Sequence, residues 1–107
     1  MGKVFELKQE LVEKIKNFLS SHNIKSLLAY DVDPGCSPIL HEDPYDDDMT
    51  FQLDRLTVKD NGTVDVDGSS CFNQRTWKLG TLSCDALEEI VEWLEDNEDI
   101  ITSLETE

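Results

Sequence analysis

Acids dominate the residues of this sequence that could do chemistry. Asp43, Asp46, Asp47 and Asp48 stand together in a stretch punctuated by proline, and Glu88, Glu89, Glu92, Glu95, Asp96 and Asp99 recur at helical spacing near the end. Clustered carboxylates suit two kinds of target: a hard divalent cation, which takes several oxygen donors, or a basic protein surface. Paired carboxylates can also act as acid and base. With 24 acids among 107 residues, however, such pairs arise everywhere and none is singled out.

Other chemistries find less support. Ser69, Ser70 and Cys71 follow Gly68, but no G-x-S-x-G elbow surrounds them and both histidines, His22 and His41, lie far along the chain. They read as turn serines and a small thiol. Cys84 precedes an acidic residue at a helix start; the helix terminus favours its thiolate, Asp85 opposes it, and a packing role is the simpler reading. The 3 cysteines show neither C-x-x-C spacing nor a complete disulfide framework, so reduced thiols and no zinc site are expected. Asp65-x-Asp67-Gly68 matches part of a calcium loop, yet the first and last ligand positions would be Thr63 and Gln74, and alternating Val and Asp describes a half-buried strand. No glycine-rich phosphate loop occurs, and Asn61-Gly62-Thr63 reads as a hairpin turn despite matching the glycosylation sequon. The sequence therefore predicts no catalytic residue, no metal site and no cofactor, and no motif carries a family resemblance.

The elements that position these residues follow from periodicity. Between Lys3 and His22, Val4, Leu7, Leu11, Val12, Ile15, Phe18 and Leu19 recur at three- and four-residue intervals, which predicts an amphipathic helix stopped by Asn23 in the left-handed conformation. Ile24 to Asp33 reads as a strand, continuous at Leu27-Leu28-Ala29-Tyr30 and alternating after it. Pro34-Gly35 ends that strand. Residues 34–48 read as a long acidic loop with a short edge segment at Ile39-Leu40.

A hairpin is predicted over residues 49–67. A two-residue Asn61-Gly62 loop would set Val58 against Asp65, whereas a three-residue Asp60-Asn61-Gly62 loop pairs Val58 with Val64, Leu56 with Val66, Thr57 with Asp65 and Arg55 with Asp67. The second register satisfies both faces and places Gly62 in the left-handed region. Met49, Phe51 and Leu53 have the opposite parity to Leu56 and Val58, which implies a bulge near Asp54-Arg55. Gly68-Ser69-Ser70 reads as the next turn and Phe72 to Leu79 as a further strand. A closing helix starts at Ser83 or Asp85 and buries Leu87, Ile90, Val91 and Leu94; Ile101 and Leu104 could extend it, and residues 98–107 are expected to form a frayed acidic tail. The order predicts a single α+β domain over residues 1–107, an antiparallel sheet of three to five strands with an N-terminal and a C-terminal helix packed on one face.

Charge constrains function most. The net charge is −15, which disfavours nucleic-acid phosphates and anionic membranes as partners. Residues 31–54 hold eight acids and no Lys or Arg, and residues 79–107 hold ten acids and again no Lys or Arg. Met1-Gly2-Lys3 leads straight into an amphipathic segment, Glu6 stands where myristoylation needs Ser or Thr, and no apolar run is long enough to span a bilayer, so a soluble, cytoplasmic protein is expected. Trp93 falls about one residue off the buried stripe of the closing helix. It is either core edge or, rimmed by Glu89, Glu92 and Asp96, an exposed interface anchor. The leading expectation is a non-enzymatic interaction module that docks a basic protein through Glu88, Glu89, Glu92, Trp93, Glu95 and Asp96, with Asp46, Asp47 and Asp48 of the loop. An inhibitor, an immunity-type protein, an adaptor and a phosphate mimic all fit that description. The alternatives are a cation-responsive regulatory domain using the Asp-rich loop, and a small enzyme whose site the sequence does not display.

Overall fold

A computed structural model describes residues 2–33, 35, 37–41, 50–70 and 74–105. Among them the chain forms four helices, α1 (Gly2–Ser21), α2 (Ala29–Val32), α3 (Cys84–Asp96) and α4 (Glu98–Glu105). Five strands accompany them: β1 (Ser26–Leu28), β2 (Ile39–His41), β3 (Thr50–Val58), β4 (Val64–Ser69) and β5 (Gln74–Lys78). The radius of gyration is 13.4 Å, as one domain of this length requires. The α+β class with an antiparallel sheet and terminal helices is the one the sequence predicts.

α1 ends where its sequence says it should. Asn23 adopts φ +56°, Ile24 N–H donates to Leu19 O at 2.9 Å and Asn23 N–H to Ser20 O at 3.1 Å, a Schellman closure that caps the last carbonyls. β3 and β4 make the expected hairpin. Val58 pairs with Val64, Leu56 with Val66, Thr57 with Asp65 and Arg55 with Asp67, and the register shifts between Leu53 and Arg55, so the bulge is at Asp54. Gly62 takes φ +88°, and Asn61 Oδ1 accepts from Thr63 N–H at 3.1 Å and Thr63 Oγ1 at 2.7 Å.

The sheet runs β1, β3, β4, β5, with β2 pairing the same edge of β3 as β1 does. Its inner face presents Leu27, Phe51, Leu53, Leu56, Val64, Val66 and Trp77, all buried, to Leu11, Ile15 and Leu19 of α1 and Leu87, Ile90 and Leu94 of α3. The outer face is polar and pairs its own charges: Lys59 Nζ lies 3.4 Å from Asp65, Lys78 stands opposite Asp65, and Thr76 Oγ1 donates to Asp67 at 2.6 Å.

Three predicted elements differ. The strand expected over Ile24–Asp33 stops at Leu28, because its ladder with β3 runs out at Arg55 beside the bulge; Ala29 and Val32, three apart, are buried on the single turn of α2 while Tyr30 is exposed. Gly68 and Ser69, expected as a turn, lie inside β4 opposite Arg75 and Gln74. A Cβ on Gly68 would stand 2.8 Å from Trp77 Cζ3, so this glycine serves close packing instead of a turn. Of the strand expected over Phe72–Leu79, β5 covers Gln74–Lys78, and Phe72 lies outside the described residues. Finally, the span expected as a frayed tail holds α4, pinned by the fully buried Ile101.

Candidate functional site

The acids of α3 owe their display to a well-anchored helix. Ser83 caps it, its Oγ accepting from Ala86 N–H at 3.2 Å, and Asn97 closes it with Nδ2 donating to Trp93 O at 2.8 Å. α3 packs on α1 along one side and on β2 along another. Two adjacent rows are therefore buried, Leu87, Val91 and Leu94 in one and Ala86, Ile90 and Trp93 in the other.

That second row decides Trp93. The residue is only 7% exposed and belongs to the core, which removes it from the expected set of partner contacts as a surface anchor. Glu88, Glu92, Glu95 and Asp96 are exposed and Glu89 is half-buried beside it. Asp46, Asp47 and Asp48 lie outside the described residues.

The acids divide by their local support. Asp85 in the first turn of α3, and Glu98 and Asp99 in the first turn of α4, face positive helix ends. Glu98 also meets His22 Nε2 at 3.2 Å, and the His22 ring lies 4.6 Å from that of Phe18. Glu88, Glu92, Glu95 and Asp96 have no such support: among the described residues no ion pair reaches them. Glu88 with Glu92, and Glu92 with Asp96, repel at i,i+4, and the last turn of α3 carries no basic residue against the negative helix end.

Beside this row lies a groove of about 370 Å³ between α1 and α3, floored by Ile15, Phe18, Val91 and Leu94. Lys14, Asn17 and Ser21 form its α1 wall and Glu95 its α3 wall. Sequence periodicity missed it, since it exists only because the two helices touch.

Asp65 and Asp67 sit on β4 with Lys59 and Thr76 as partners, and among the described residues no three His, Cys, Asp or Glu side chains gather as a metal site. Cys84 is the first residue of α3 and half-buried, Ser69 is part of β4, and Cys71 falls outside the described residues. No polar or charged residue is buried among those described, and none of their helices is long and apolar enough to cross a membrane. Comparison of the chain with protein-family models, with curated proteins and with solved structures returned no match.

Proposed function

We propose that this protein is an interaction module that docks a basic protein surface through the exposed acids of α3, in an inhibitory, immunity-type, adaptor or phosphate-mimicking role. The supporting observation is an asymmetry of charge. The outer sheet face pairs Lys59 with Asp65 and sets Arg55 against Asp67, whereas Glu88, Glu92, Glu95 and Asp96 line one side of α3 and no ion pair reaches them among the described residues. A helix face that repels itself is relieved when Lys and Arg of a partner cover it, and long-range attraction speeds the encounter. The same sign makes nucleic acids and anionic membranes poor partners.

The test is capture of basic proteins at low salt by wild type and by the Glu88→Lys, Glu92→Lys, Asp96→Lys triple variant. These side chains are exposed, so the fold should survive. The triple variant should capture markedly less, and the association rate of a captured wild-type partner should fall steeply with added salt. Equal capture of the same proteins by both forms would refute the reading.

A further inference from the structure

The groove between α1 and α3 adds shape to the charge of α3. Ile15, Leu94 and Val91 close its floor at 0%, 1% and 8% exposure, while Phe18, half-buried, offers apolar surface to an occupant. Lys14 and Ser21 on the α1 wall are seven residues apart, about 10 Å along the helix axis at 1.5 Å per residue. That span matches anchors at i and i+7 on an incoming helix.

The walls differ in charge. On α3, Glu95 lines the groove and the exposed Glu88 and Glu92 continue its row on the helix outside the lining, while the α1 wall offers one cation, Lys14, with the neutral Asn17 and Ser21. An occupant with one apolar stripe and Lys or Arg flanking it on the α3 side satisfies both features. A second copy of this chain brings its own net charge of −15 to the same wall. We infer that the groove seats a basic amphipathic helix of the partner protein, its apolar residues inserted between Phe18 and Val91 and its cations paired with Glu88, Glu92 and Glu95. This rests on the docking role proposed for α3 and names the partner element that role would take.

The probe is a labelled synthetic peptide of Leu and Lys with Leu at i, i+4 and i+7, titrated into the full chain at low salt and followed by fluorescence anisotropy. Two controls accompany it: the same composition scrambled to destroy the stripe, and the same stripe with Glu for Lys. The amphipathic Lys peptide should bind at least about tenfold tighter than the scrambled one, since seating one leucine suffices for that ratio. Asn17→Trp, an exposed position whose indole would fill the groove, should abolish the advantage while melting like wild type. The Glu peptide should not bind. Equal affinity for both Lys peptides overturns the groove assignment and leaves the acidic docking face standing, whereas failure of every Lys peptide overturns both. A concentration-dependent dimer in sedimentation velocity that Asn17→Trp disrupts would give the groove to a second copy and also overturn the inference. The comparison of peptides on wild type stands even if the variant misfolds.

Discussion

Gly68→Ala tests the tightest contact in the sheet. A Cβ there would lie 2.8 Å from Trp77 Cζ3, 3.2 Å from Gln52 O and 3.3 Å from Phe51 Cβ. The first distance is about 0.7 Å short of ordinary carbon contact. Trp77 has little room to retreat, because its ring meets Phe51 edge to face at 5.1 Å and the Arg75 guanidinium lies 5.6 Å from its centroid. Gln52 O belongs to the neighbouring strand and moves only with the ladder. Overpacking of this kind costs about 1–3 kcal/mol, and alanine regains about 0.4–1 kcal/mol by restricting the unfolded chain. The net expectation is a loss of about 1–2 kcal/mol, or about 4–8 °C in Tm for a domain of this size. Urea and thermal unfolding of Gly68→Ala, of Trp77→Leu and of the double variant provide the assay. In the Trp77→Leu background, where the clashing atom is gone, Gly68→Ala should be neutral or stabilising. A neutral Gly68→Ala in wild type, or the same cost in both backgrounds, would refute the argument that this glycine is required by Trp77.

The other expectations separate causes in the same way. Gly62→Ala should cost about 1 kcal/mol from backbone strain alone, since φ is +88° and nothing lies within 4 Å of the added Cβ; an unchanged Tm contradicts the hairpin loop geometry. Raising NaCl from low to moderate concentration should raise Tm, because exposed like charges more than about 8 Å apart are screened at physiological ionic strength; a flat or falling Tm means the acids are compensated locally. Trp93→Ala should cost about 3–5 kcal/mol in unfolding measurements, the effect of emptying a core site, and a change confined to partner dissociation with stability intact contradicts its burial.

What was legible in the sequence was whatever a short window encodes. Parity along residues 49–67 selected one hairpin register, because a one-residue slip turns every side chain to the wrong face, and Leu56 with Val66 and Val58 with Val64 could pair in only one of the two loops. The stop at Asn23 and the Ser83 cap are likewise local chemistry, and the uncompensated acids of α3 follow from counting charges. Tertiary structure alone decided the rest. Trp93 is buried because α3 is covered on two sides, by α1 and by β2, so its apolar arc is wider than one stripe. Ala29 and Val32 turn helical because β3 bulges where β1 would continue, and Gly68 belongs to a strand because Trp77 needs its missing Cβ. The groove between Phe18 and Val91 joins residues more than seventy positions apart. Periodicity states which face of an element is apolar. Which other face covers it, and what gap is left between them, depends on packing that no single window contains.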